Sequence, residues 1–260
     1  MLLSWYRTQS KEHGIVAATR LLAGVVFARG TTMVVNGLLP PRVLCPCCRW
    51  EGRRFYHYME VGLYSANTEC PQCNSHPRHR ALYLWLQDKI QLLSESRVAL
   101  IFAPERALNP LWEQASSLSI YKVDIEDSRG VDVLADLQRL PFKSDSVDFI
   151  WCHHVLQQIE DDRAAISELC RVLRPETGEL VVSAAIAPRA VTQEFGFANK
   201  DLLYFWRIYG DDFSERLAEA GLTASAVSPK LSAEEYRRYA VSPQESFYLC
   251  AKALTPDPSL

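Results

Sequence analysis

The 260-residue sequence has no run of roughly 18 or more apolar residues, so no membrane span is expected. It also lacks a strong charge of either sign. Its 28 Lys and Arg face 31 Asp and Glu, for a formal net charge of −3. Bulk attraction to nucleic acid normally shows as marked basicity, so only a local basic patch could serve that purpose. The apolar segment 14–28 is interrupted by Arg20, and no small-residue cleavage site follows it, so no secretory signal is expected. No internal repeat and no low-complexity tract occurs. What remains is a globular chain, 48% hydrophobic, long enough for one medium domain and a small module.

Eight cysteines are present, and four stand in two C-x-x-C pairs. Cys45-Pro46-Cys47-Cys48 and Cys70-Pro71-Gln72-Cys73 are separated by 21 residues. Two residues between thiolates let one tight turn present both sulfurs to a single ion. Two such turns complete the tetrahedron of soft ligands that zinc prefers. Cys45, Cys48, Cys70 and Cys73 are therefore expected to hold a structural Zn2+. Cys47 is left out, because pairing it with either neighbour spoils the spacing. Without a signal peptide, such pairs read as metal before disulfide, which points to a reducing, cytoplasmic setting. Cys152, Cys170 and Cys250 fall in apolar segments and are expected in the core.

Three zones follow from the patterning. Segment 1–41 is expected to be helical and packed on its own protein, with Ile15, Ala18, Leu22 and Val25 on one stripe and Arg20 and Arg29 off it; a membrane-surface or partner-binding helix is the alternative, which the few basic residues flanking the stripe do not favour. Segment 42–80 is expected to be a zinc ribbon with short aromatic strands. Ser75 and Pro77 suit the start of the helix that follows. Segment 81–254 alternates strand and helix signals, and 255–260 reads as a frayed tail. Strands are expected at 98–103, 118–124, 131–136, 147–153 and 179–186, with two more near 223–228 and 246–251. Helices are expected at 161–174, stopped by Pro175, and at 211–220, closed by Gly221. Such alternation argues for an α/β domain whose parallel sheet is covered on both faces.

In a doubly wound sheet, ligands bind beyond the carboxyl ends of the strands, where the strand order reverses. The residues there are Phe102-Ala103-Pro104-Glu105, Asp124, Asp136-Leu137 and His153-His154. Asp124 could accept hydrogen bonds from both ribose hydroxyls of an adenosine ligand. Asp136 could take the adenine amino group while Leu137 packs on the ring.

Several segments then occur in a telling order. They are Asp132-Val133-Leu134-Ala135-Asp136-Leu137, Leu140-Pro141-Phe142, Val147-Asp148-Phe149-Ile150, His154-Val155-Leu156 and Glu168-Leu169-Cys170-Arg171-Val172-Leu173-Arg174-Pro175. Together they resemble the core of class I S-adenosylmethionine-dependent methyltransferases, the type 11 methyltransferase domain, over roughly 98–186. The likeness extends more weakly to 207–211 and 217–222. The paired cysteines followed by Arg78-His79-Arg80 resemble a bacterial subgroup with a zinc ribbon ahead of this domain.

The resemblance implies a Rossmann-like, doubly wound, mostly parallel seven-stranded sheet and a methyltransferase activity. It implies S-adenosylmethionine contacts from Phe102, Ala103, Pro104, Glu105, Asp124, Asp136, Leu137 and His153. His153 or His154 would be the catalytic base, with Glu105 and Arg207 as alternative substrate-side groups. The chain departs from the family in three places. The first loop has no glycine, Gln157-Gln158 replaces Glu-His, and Pro175-Glu176-Thr177-Gly178 replaces Pro-Gly-Gly. The expected acceptor is a small molecule. An RNA or protein acceptor is the alternative, since Arg42, Arg49, Arg53, Arg54, Arg78 and Arg80 surround the cysteines with Trp50, Phe55, Tyr56 and Tyr58 interleaved. A catalytically inactive binding protein is the third reading.

Overall fold

The structure, a computed structural model, describes residues 2–60, 63–92, 97–115, 117–127, 130–187 and 189–253. The tail expected at 255–260 lies outside them. The chain forms two compact units. One comprises residues 1–87, 106–110 and 229–245, and the other 88–105, 111–228 and 246–260.

The first unit opens with helices α1 (Leu2–His13) and α2 (Ile15–Leu38). Between them Gly14 takes φ +85°, where a side chain would be strained. Tyr6 Oη lies 3.0 Å from Thr19 Oγ1, tying the two helices. Two short antiparallel pairs follow: β1 (Val43–Leu44) with β2 (Glu51–Gly52), and β3 (Tyr56–Glu60) with β4 (Leu63–Glu69). Helix α3 (Pro77–Leu92) leads out of the ribbon.

The face of α2 that packs differs from the expected stripe. Ala18, Val25 and Thr32 are buried at seven-residue intervals, whereas Ile15 is exposed. Arg29 lies on the packed side. It donates to both carboxylate oxygens of Glu69, at 3.0 and 2.9 Å, and stacks over the Tyr56 ring. Asn36 acts as a substitute strand partner: its Oδ1 accepts from the N–H groups of Arg53 and Arg54, and its Nδ2 donates to the Arg54 carbonyl. Helix α2 is long and apolar enough to cross a bilayer by length and composition. Searching for unbroken apolar runs missed it, because Thr, Gly and single Arg residues dilute the pattern without adding acids.

The second unit holds a seven-stranded sheet. Its strands are β5 (Arg97–Phe102), β6 (Leu118–Asp124), β7 (Val133–Leu134), β8 (Phe149–His153), β9 (Glu179–Ser183), β12 (Leu222–Val227) and β13 (Phe247–Lys252). Between β9 and β12 lie the hairpin β10 (Gln193–Asn199) and β11 (Phe205–Ile208). The sheet order is β12-β13-β9-β8-β5-β6-β7. All pairings are parallel except those of β13, which runs antiparallel to both neighbours. The strand order reverses between β5 and β8. Helix α4 (Asn109–Gln114) follows β5.

Helix α5 (Asp162–Val172) buries Ala165, Ile166 and Leu169 against the sheet and is capped by Asp161, whose carboxylate accepts from the Ala164 N–H. Helix α6 (Phe213–Glu219) ends where Gly221 adopts φ +85°. Cys152, Cys170 and Cys250 are buried as expected, and burial pushes the Cys250 thiol up to about 12. These elements share a hydrophobic core that runs from Leu100 and Ile150 to Phe213.

Candidate functional site

The parallel register aligns the strand ends in a row. Phe102 lies opposite Val123 on one side and Cys152 on the other. His153 lies opposite Ser183, and Asp124 opposite Leu134. Phe102, Asp124 and His153 therefore emerge on one rim of the sheet. Asp136 stands two residues past the end of β7. The Ala135 N–H donates to the Asp124 carbonyl at 2.9 Å, which holds the ends of β6 and β7 together.

Each strand-end carboxylate is oriented by its own turn. Asp124 Oδ1 accepts from the Ile125 N–H at 2.8 Å, and Asp136 Oδ1 accepts from the Gln138 N–H at 2.9 Å. Leu137, between Asp136 and Gln138, is buried. Ionised carboxylates on a rim are the acceptors that vicinal hydroxyls and an exocyclic amine require.

The turn after β5 solves the missing-glycine problem in an unexpected way. Ala103 itself adopts φ +46°, in the left-handed region, while its N–H donates to the Val123 carbonyl at 2.9 Å. The chain thus makes a glycine-like turn with the smallest residue that carries a Cβ. At the end of β8, His154 does the same with φ +53°. Two left-handed residues flank the switch point, a conformation that occurs where the surrounding structure enforces it.

The two histidines differ in surroundings. His153 is buried. Its Nδ1 is hydrogen-bonded to Ser183 Oγ, and its Nε2 lies 3.5 Å from the Glu105 carboxylate. His154 is half-buried, its ring edge-on to that of His153 at 4.6 Å. The Gln157 side chain donates to the His154 carbonyl at 2.7 Å. Glu105, His153 and Ser183 thus link the ends of β5, β8 and β9.

Arg207, considered at the sequence level as a substrate-side group, is instead buried beneath the segment after β8. Its guanidinium donates to the carbonyls of Leu156, Ile159 and Glu160, and to Glu194. Asp162, also buried, accepts from Tyr209 Oη at 2.7 Å and from Arg216 at 3.0 Å, with Arg207 Nε 3.6 Å away. Burial and the neighbouring Asp162 carboxylate push the Tyr209 phenol well above its ordinary value.

A candidate metal site lies in the first unit. The Sγ atoms of Cys45, Cys48, Cys70 and Cys73 all lie within 4.8 Å of one another. Cys45–Cys73 and Cys48–Cys70 are each separated by 3.6 Å. A tetrahedron with Zn–S bonds near 2.3 Å has sulfur edges of about 3.8 Å, so the donor set and spacing fit a four-thiolate ion. The two knuckles are built alike. In each, the first cysteine's carbonyl accepts from the N–H four residues on (Arg49, Asn74), and that residue has positive φ. In each, the first cysteine's N–H donates to the carbonyl five residues on (Trp50, Ser75). Cys47 lies outside the quartet and is buried.

Ser75, expected as a helix cap, turns its hydroxyl to within 3.2 Å of Cys45 Sγ. Arg80 was counted among the basic residues available to a nucleic acid. It is fully buried over the Phe55 ring. Its guanidinium donates four hydrogen bonds, to the carbonyls of Thr68 and Ser75 and to those of Tyr239 and Ala240, at the end of α7 (Ala233–Tyr239). Phe55 is fully buried too, so neither can meet a phosphate or a base.

Comparison with known proteins gives one family match, a methyltransferase domain, over residues 109–182. No curated protein matches the chain. Among solved structures, the chain is similar to 1,6-didemethyltoxoflavin-N1-methyltransferase from Burkholderia thailandensis, at 14% identity and TM-score 0.46, covering 69% of this chain and 77% of the other. It is also similar to a SAM-dependent methyltransferase from Thermotoga maritima, at 18% identity and TM-score 0.45, covering 68% and 92%. A SAM-dependent methyltransferase from Aquifex aeolicus gives 15% identity and TM-score 0.43, covering 66% and 93%.

Proposed function

We propose that the α/β unit is a class I S-adenosylmethionine-dependent methyltransferase, in keeping with the methyltransferase-domain match over residues 109–182, and that it methylates a small-molecule acceptor at the rim formed by the ends of β5, β6, β7 and β8. The observation that carries this reading is the alignment of Phe102, Asp124 and His153 on one rim beside two left-handed turns. Asp124 would hold the ribose hydroxyls. Asp136 and Leu137 would hold the adenine, and the Phe102–Glu105 turn would face the methionine end.

The cofactor supplies an activated methyl group on a sulfonium, and transfer is an in-line displacement. The protein's part is alignment of the acceptor and, for an oxygen or nitrogen nucleophile, removal of its proton. Of the two histidines, His154 is the better-placed base, because it is half-exposed while His153 is buried between Ser183 and Glu105. His153 then acts as a positioning residue that ties Glu105 to the strand ends. The four cysteines would hold a structural Zn2+ with no open coordination position. The free thiols and the thiolate quartet favour a cytoplasmic, reducing location.

Isothermal titration with S-adenosylhomocysteine tests this reading. Each charge-assisted hydrogen bond contributes about 1.5–3 kcal/mol, so Asp124→Ala should weaken binding by roughly ten- to a hundredfold. Unchanged affinity in Asp124→Ala and Asp136→Ala together would refute the site. One observation favours an RNA or acidic protein acceptor instead. A groove of about 730 Å3 in the first unit is lined by Arg42, Arg53, Arg237 and Arg238 against Glu51 and Glu234. Salt-sensitive RNA binding lost in Arg237→Glu would support that alternative.

A further inference from the structure

Helix α2 has two faces of different character. One, carrying Ala18, Val25, Arg29, Thr32 and Asn36, is fastened to the ribbon and to α1 by the contacts described above. The other carries one polar contact, from Thr19 to Tyr6 of α1 near the start of the helix, and is otherwise apolar. Val16, Val26, Phe27, Met33, Val34 and Leu38 are each more than half exposed, Phe27 at 74% and Leu38 at 77%. At 100° per residue these side chains fall within an arc of about 140°. Ala23, Gly30 and Gly37 lie inside the same arc. The arc contains no acidic residue and no lysine; Arg20 stands at its margin near the start of the helix. At about 1.5 Å per residue, the large apolar side chains from Val26 to Leu38 form a stripe about 18 Å long, with Val16 apart from it beyond Thr19 and Ala23. An exposed apolar stripe of this kind marks an interaction site.

Charge selects the occupant. The chain as a whole carries −3, yet α1 and the first turns of α2 hold Arg7, Lys11 and Arg20 against Glu12 alone. Arg7, Lys11 and Arg20, close to the start of α2, are all exposed. An apolar stripe flanked by basic side chains is the pattern of a helix lying in a membrane interface, with its apolar face in the acyl boundary and its cations among anionic headgroups.

We propose that α2 docks the protein on an anionic lipid bilayer, lying in the plane of the surface with Phe27, Val34 and Leu38 inserted. Crossing the bilayer would require the opposite face to shed Arg29–Glu69 and the three Asn36 hydrogen bonds into hydrocarbon, where unsatisfied polar groups cost several kcal/mol. The in-plane orientation keeps all of these contacts and buries only the apolar arc. This inference concerns the first unit and does not depend on the methyl-transfer reading.

Flotation of the full chain with vesicles tests it. Wild-type protein should float with phosphatidylcholine–phosphatidylglycerol (1:1) vesicles, less with phosphatidylcholine alone, and less as salt rises. The double variant Phe27→Asp/Val34→Asp changes two exposed positions, and its circular dichroism and S-adenosylhomocysteine titration should match wild type. Its partitioning should fall about tenfold or more. Bound wild-type protein should be stripped by alkaline carbonate. The proposal is overturned if wild type stays at the bottom with anionic vesicles, or if the double variant floats equally well. Resistance to carbonate would overturn the in-plane geometry in favour of a span. Self-association that the double variant abolishes, without any flotation, would assign the face to a second copy of the chain.

Discussion

Substituting Ala103 by glycine should stabilise this protein, although glycine for alanine ordinarily does the opposite. Ala103 sits at φ +46° in the turn after β5. A left-handed backbone costs a residue with a Cβ about 1–2 kcal/mol. Glycine escapes that cost but loses about 0.4–1 kcal/mol more backbone entropy on folding. The difference favours Ala103→Gly by about 0.5–1 kcal/mol, equivalent to roughly 1–4 °C in Tm for a chain of this size. A control at ordinary helical φ is Ala164→Gly in α5, which should destabilise by about 0.5–1 kcal/mol. Ala103→Val places a β-branched side chain at positive φ and should lose about 2 kcal/mol or more. Urea unfolding followed by tryptophan fluorescence reads all three, since Trp112 and Trp151 are packed edge to face in the same unit. If Ala103→Gly destabilises as much as Ala164→Gly, the left-handed turn does not exist as described. The reasoning about the cofactor loop would fail with it.

With zinc on the four cysteines, chelation should unfold the ribbon, since its two knuckles would share the one ion. Native mass spectrometry should find one zinc per chain, lost in Cys48→Ser and kept in Cys47→Ser. Arg207→Lys should destabilise by about 2–4 kcal/mol, because a single ammonium cannot serve the carbonyl and carboxylate partners that the planar fork satisfies; denaturant midpoints check this. Glu168 gives a pH signature. Arg171 donates to its carboxylate and holds it below the ordinary carboxylate range, with the Leu140 N–H adding to the effect. The folded state therefore binds fewer protons than the unfolded state near pH 4. The associated stability is present above the ordinary value and is lost as pH falls through the depressed folded value. Thermal melts from pH 6 to 3 should show a shallower acid decline for Glu168→Gln than for wild type.

Much of this architecture was legible in the sequence because local signals agreed with tertiary needs. The fully buried strand β8 and the largely buried β5 are short, mostly apolar runs, and α5 has its cap, its apolar stripe and its Pro175 stop written locally. The cysteine quartet follows from spacing alone. Other features depend on contacts that no local pattern records. The expected strand at 131–136 shrinks to Val133–Leu134, an edge strand paired on one side only. The hairpin β10–β11 was missed because Gln193–Asn199 is mostly exposed and carries no strong alternation. Helix α7 could have been found, since Ser232 and Glu235 form a capping box spaced as Ser-x-x-Glu. The burial of Arg80 and Arg207 was invisible. In the sequence, an arginine looks the same whether it faces solvent or collects backbone carbonyls.

Those two arginines make a related point about how the chain positions its chemistry. The segment from His154 to Asp161 leaves β8, turns through Leu156–Gln158 and enters α5 with little regular structure of its own. Its carbonyls at Leu156, Ile159 and Glu160 would be costly to bury unpaired. Arg207, delivered by β11, satisfies all three, while Asp162 balances the charge and draws in Arg216 and Tyr209. The His154 backbone is thus braced on one side by the Ser183 carbonyl and followed by a segment anchored from beneath. A histidine held at positive φ needs such bracing, because nothing in its own conformational preference keeps it there. Arg80 applies the same device in the ribbon, where it collects the Ser75 carbonyl next to a cysteine knuckle. In both units, a buried guanidinium fixes an irregular segment that carries functional side chains, so these arginines act on chemistry only through the backbone they hold.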